Sequence, residues 1–267
     1  MKLKNITFFA VFLFSMGTLA SAQSGPSADD YLKAADDLYK NAKQDDAIAN
    51  YEKAAQGFEN SGNIERFVYS YNQIGVILTR QDKYEKARTY LDKALSTGLE
   101  SLGPNDLTVA ATFLALGVVY SAEGQFERSL GAHRKALDIR LAKLGKFDSN
   151  VATSYGNIGN VHLRNKDYDK AIEAHKLAME IRAKVFGEKG PEIVESYRGL
   201  GNAYREKKDY KLSLKYFEKA LSNKVNQLGP GHKDLARFYR YVSEVHSLAG
   251  NRSKADEYRL KAEEVEK

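Results

Sequence analysis

Four glycines stand forty-two residues apart, Gly75, Gly117, Gly159 and Gly201, and Ser243 holds the next place in the register. A second series, Gly103, Gly145, Gly187 and Gly229, keeps the same interval, and each member follows a large apolar residue: Leu102, Leu144, Phe186 or Leu228. A third series is Ala94, Ala136, Ala178, Ala220 and Ala262. Ala35 and Ala54 place an earlier copy in front, displaced by two residues. Three series in phase restrict the chain to a stack of near-identical units.

Inside a copy the apolar spacing is helical. Ile158, Gly159 and His162 form one stripe, which breaks at the polar residues 164–167. It resumes at Tyr168, Ala171, Ile172, His175 and Ala178. That is helix, short turn, helix. The second glycine series ends the second helix, where a left-handed backbone is needed, and Pro104, Pro191 and Pro230 follow shortly after. A glycine inside a helix costs about 1 kcal/mol relative to alanine. Gly159, with Ala171 and Ala178 opposite, is expected to offset that cost by letting two helix backbones approach closely.

The pattern resembles the tetratricopeptide repeat. The resemblance rests on Leu116-Gly117 with Tyr120, Ile158-Gly159 with His162, and Leu200-Gly201 with Tyr204. Phe126, Tyr168 or Tyr210 and the later alanines follow in turn. The long period and the linkers LGPND, LGKFD, FGEKGPE and LGPGHKD are similar to the variety found in kinesin light chains and many bacterial proteins. The resemblance implies an all-α, right-handed α-solenoid of about six repeats, at 29–62, 63–104, 105–146, 147–188, 189–230 and 231–267. It also implies a protein-binding scaffold. In the last copy Arg252 and Arg259 replace the aromatic and histidine positions of inner copies, a polar outer face suited to a terminal helix.

The N-terminus reads as an export signal over residues 1–22, followed by a short linker at 23–28. Lys2 and Lys4 precede an apolar run at 6–19, and Ala20-Ser21-Ala22 fits a small-x-small cleavage site before Gln23. A run of about 14 residues is shorter than the roughly 20 of a spanning helix. The expected location is therefore periplasmic or secreted, with no membrane insertion after cleavage. The chain has no cysteine, which removes disulfides, thiol catalysis and cysteine metal sites. The formal charge of +6 includes the two signal lysines. The remainder is a mild balance that does not call for nucleic acid.

Catalytic signals are scarce. No serine sits in a nucleophile elbow and no phosphate loop follows a strand. His133 and His175 share one repeat position, and His162 and His246 share another. His162 and His175 could meet within one hairpin as a metal pair. No zinc spacing supports this, and hydrogen-bonded histidines in the packing stripe are the plainer expectation. No cofactor and no enzymatic activity are expected.

The concave face carries more information. The resemblance implies that first helices line it. Counting from the repeat glycine, positions −6, −3, +1 and +4 share one face. These are Tyr69, Asn72, Val76 and Thr79; then Ala111, Leu114, Val118 and Ser121; then Thr153, Gly156, Asn160 and Leu163, with Asn157 beside them. Glu195, Arg198, Asn202 and Arg205 follow, then Arg237, Arg240, Glu244 and Ser247. The expected peptide-binding groove is Tyr69, Val76, Leu114, Val118, Asn157, Asn160, Arg198, Asn202, Arg205, Arg237 and Arg240. Asn160 and Asn202 resemble the asparagines with which peptide-binding family members hold a ligand backbone. The arginines suit carboxylates. The alternative is a solvated face with ordinary pairs such as Glu195 with Arg198. The expected partner is a protein or peptide. Other possible roles are a sensory or assembly module of an envelope complex, or a histidine-based metal protein or enzyme.

Overall fold

The computed structural model describes residues 25–267; the expected export signal lies outside them. Among the described residues there are twelve α-helices, paired as hairpins. The pairs are α1 (Ala28–Lys40) with α2 (Gln44–Ser61), α3 (Ile64–Arg80) with α4 (Tyr84–Ser101), and α5 (Leu107–Ala122) with α6 (Phe126–Leu144). Then come α7 (Ser149–Arg164) with α8 (Tyr168–Phe186), α9 (Val194–Glu206) with α10 (Tyr210–Leu228), and α11 (Ala236–Leu248) with α12 (Arg252–Glu264). The hairpins stack in chain order into an α-solenoid. A capping box between Ser27 and Asp30 starts α1 at Ala28, so the helix takes in the last residue of the expected linker.

Each hairpin turn holds one residue with positive φ: Ala42, Asp82, Gly124, Lys166, Lys208 and Gly250. The helix ends there in a left-handed cap, as where Asp167 N–H donates to the His162 carbonyl. Only two of the six are glycines. Between repeats, Gly103, Gly145, Gly187 and Gly229 all take positive φ, as the second glycine series requires.

The mid-helix glycines are explained by a partner the sequence did not reveal. Sixteen residues after each one, a large side chain from the second helix lies over it. A Cβ on Gly75 would stand 2.6 Å from Leu91, and on Gly117 2.5 Å from the His133 ring. On Gly159 it would stand 2.8 Å from the His175 ring, and on Gly201 2.8 Å from Phe217. The nearest neighbour of Gly159 is thus an imidazole rather than Ala171 or Ala178, although both alanines are fully buried. Small residues twelve positions on complete the seam. Ser129 Oγ donates to the Gly117 carbonyl at 2.6 Å, and Ser213 Oγ to the Gly201 carbonyl at 2.8 Å. In the last hairpin the donor is on the other helix, with Ser243 Oγ donating to the Ala255 carbonyl at 2.6 Å.

Stacking buries a second line of residues. Val109 and Ala110, Val151 and Ala152, Ile193 and Val194, and Leu235 and Ala236 are all sealed at or just before the starts of successive first helices. Half-buried arginines reinforce the joints. Arg140 donates to the Asn150 carbonyl and to Ser154 Oγ, and Arg182 donates to Ser196 Oγ. Consecutive first helices also touch one another, α3 with α5, α5 with α7, and α7 with α9. That contact places them on the inner side of the stack.

Candidate functional site

The inner face is made by α1, α3, α5, α7, α9 and α11. Tyr69 and Val118 are exposed there, at 40% and 48%. Asn160, Arg237 and Arg240 are exposed as well. Val76, Leu114, Asn157, Arg198, Asn202 and Arg205 are half-buried. Asn72, expected on the same open face, is instead buried, and so is Ser121.

The arginines at the C-terminal end are largely engaged within the chain. Arg198 donates two hydrogen bonds to Glu195 Oε2, at 2.5 and 3.0 Å. Arg205 reaches from α9 to Glu244 of α11 at 2.8 Å and also pairs with Glu206. Arg240 pairs with Glu266 beyond α12. Arg237 lies over the Phe238 ring, 4.9 Å from its centre. The pairing of Arg198 with Glu195 was foreseeable from an i, i+3 spacing. The pairing across thirty-nine residues was not.

At the N-terminal end the face deepens into a cleft of about 540 Å³ between α1, α3 and α5. Its walls include Leu32, Asp36, Glu65, Tyr69, Asn72 and Leu107. The α1 residues were missed by sequence reasoning, yet a signal was present. Ala35 holds the glycine's place in the first repeat, and Tyr51, sixteen residues on, is fully buried. The same register puts Leu32 and Asp36 at the −3 and +1 positions of the face. Tyr51 donates its hydroxyl to Asp36 Oδ1 at 2.6 Å, which fixes the carboxylate. Burial, and then the Asp36 charge, pushes the Tyr69 phenol up from its ordinary pKa.

The histidines do not assemble a reactive centre. His133 and His175 are 1% and 2% exposed, and His133 Nδ1 and His175 Nε2 have no hydrogen-bond partner. Of the two histidines expected to be hydrogen-bonded, His162 has a partner in Asp167, while His175 Nε2 has none. His133 and His175 fill the space over the glycines by shape. Burial pushes both down to about 4, and nearby arginines add to the effect. His175 is wedged between Gly159 of its own hairpin and Gly199 of the next. His162 is buried with Nδ1 3.4 Å from Asp167, and His246 stacks on Tyr258. Among the described residues no three His, Asp or Glu side chains are grouped to hold a metal ion. None of the described helices is long and apolar enough to cross a membrane.

The family model described as tetratricopeptide repeat matches residues 67–142 and 150–224. The chain belongs to the tetratricopeptide repeat family. Its fold is similar to that of BtubC (BKLC) from P. vanneervenii, with a TM-score of 0.68 and 18% identity over 90% of this chain and 91% of that one. It is also similar to the kinesin light chain-like repeat protein of Podosopora anserina, with a TM-score of 0.65 and 16% identity over 76% and 95%. The apo form of RapI gives a TM-score of 0.64 and 16% identity over 89% and 97%. No curated protein matches the sequence at a significant level.

Proposed function

We propose that the protein is a non-enzymatic scaffold that holds a peptide or an extended partner segment along its concave face, and that it works outside the cytoplasm after export. The observation that carries the reading is the contrast between the inner face and the rest of the repeat. The packing seam is closed and its histidines are sealed. The inner face exposes Tyr69, Val118, Asn160, Arg237 and Arg240 and leaves Asn202 half-open, across five hairpins. Solenoids of this class present an extended concave surface to their partners. Export rests on the charged, apolar and small-residue segments of residues 1–22.

In this reading Asn160, which is exposed, and Asn202, which is half-buried, hydrogen-bond a ligand backbone. The paired arginines can exchange their own glutamates for a ligand carboxylate, at the cost of breaking an existing pair, so the net gain is modest. A peptide array probed with the purified protein tests the reading. Asn202→Ala and Arg198→Ala should each lower retention of bound peptides about tenfold. Lys207→Ala should not, because Lys207 lies in a turn and pairs with Asp169. Equal retention by all three variants contradicts the concave assignment. N-terminal sequencing of protein from the native host tests export: a start at Gln23 agrees with it, and an intact Met1 does not.

A further inference from the structure

The cleft at the N-terminal end of the inner face differs from the rest of it in two ways. Its carboxylates carry no ion pair. Arg66 also lines the cleft but is tied to Asp29, while neither Asp36 nor Glu65 has a cationic side chain within ion-pair distance among the described residues. Elsewhere on the face Glu195 and Glu244 are already held by arginines. The cleft also contains a polar group with nothing to bond. Asn72 lines it, is 8% exposed, and leaves Oδ1 buried without a partner. An unmade buried hydrogen bond destabilises a fold, and a leucine of similar size would not carry that cost. Asn72 lines the cleft with its other amide edge, and a half-turn of the side chain would bring the Oδ1 acceptor to a ligand group.

The geometry points to a specific occupant: an extended peptide segment with a lysine or arginine next to an aliphatic residue, held in the α1/α3/α5 cleft. This rests on the concave-face reading above and adds the chemistry of one end of the ligand. The Asn72 amide carries a donor and an acceptor edge related by a half-turn, so it takes a backbone N–H or C=O of the segment. The aliphatic side chain lies against Leu32 and Leu107. The cation meets Asp36, which Tyr51 already holds in place, and Glu65 at the rim. The ligand thereby gains polarity along the solenoid, with its basic end toward α1 and any acidic portion toward α9 and α11.

The test is an array of octapeptides in which one apolar and one charged position are varied, probed with the full chain and followed by fluorescence anisotropy on retained peptides. Leu-Lys and Leu-Arg peptides should be retained, and their Leu-Glu counterparts should bind about tenfold more weakly or worse. Asp36→Asn and Asn72→Leu should each weaken the basic peptides about tenfold. Asn72→Leu should also leave the thermal midpoint unchanged or raised. A clear fall in that midpoint would make the amide structural and overturn the proposal. Binding that ignores Asp36→Asn and Asn72→Leu but is lost with Asn202→Ala overturns this subsite and keeps the concave-face reading. Retention of no peptide of either charge overturns both. Self-association of the chain that Asp36→Asn abolishes would assign the cleft to a second copy and overturn the proposal.

Discussion

The seam between paired helices and the inner face of the stack obey opposite rules. Along the seam one grammar repeats. A small residue at the central position of the first helix receives a large side chain sixteen residues later, and a small residue twelve positions on closes the gap. Leu91, His133, His175 and Phe217 occupy the same place and differ mainly in chemistry. Along the face almost nothing repeats. The −3 position is successively Leu32, Asn72, Leu114, Gly156, Arg198 and Arg240. Every hairpin has to pack on the next, so the seam is held to one shape. The face shares few contacts between repeats, such as the pair of Arg205 with Glu244, and is freer to diversify toward a partner.

Breaking the seam should give the largest effect. Gly159→Leu improves helix propensity, yet its side chain would enter the space of the buried His175 ring. A loss of roughly 3 kcal/mol and a fall in the thermal unfolding midpoint are expected from overpacking. A raised midpoint would mean that the contact is not tight.

The second effect separates hairpins that share the grammar but not its chemistry. His133 and His175 are held neutral in the folded chain, pushed down to about 4 from the ordinary 6.5. The unfolded chain therefore binds more protons than the folded one between those values. Stability is complete above pH 6.5 and falls as the pH drops toward 4, by up to about 3 kcal/mol for each histidine. Chemical denaturation across that range measures the slope. His175→Leu, which copies Leu91, should remove about half of the slope that the two histidines produce while leaving stability at pH 7.5 nearly unchanged. An unchanged slope would show that the acid response originates elsewhere.

Substitutions on the face should barely affect folding. Arg198→Ala removes an exposed pair with Glu195, worth no more than about 1 kcal/mol, so its unfolding midpoint should stay close to that of the parent even where peptide binding is lost. The smallest effect belongs to the turns. Lys166 holds a left-handed backbone with φ of 64°, a conformation that glycine takes more readily and that Gly124 supplies in the hairpin before. Lys166→Gly should stabilise by at most about 1 kcal/mol, since greater freedom of the unfolded chain offsets part of the relief.

The same contrast explains how much could be read from the sequence. Period, hairpin order, the glycine that ends each second helix and the buried alanines were legible because repetition prints them several times. Ala35 even carried the register into the first repeat. The ring over each glycine was not legible, since Leu91, His133, His175 and Phe217 share a location and not a residue type. The face was legible only as a set of positions. Which side chains stay open depends on contacts between copies, such as the reach of Arg205 to Glu244, which no local spacing encodes.

The most direct test of a recognition face on the inner side is site-specific photo-crosslinking in the native envelope or secreted fraction. A benzophenone amino acid would replace Val118, which is exposed at the middle of the concave side, or Lys176, which is exposed on second helix α8. A discrete adduct from position 118, with none from position 176, is the expected result. Adducts from position 176 alone would put the partner on the outer helices and contradict the assignment of the concave face.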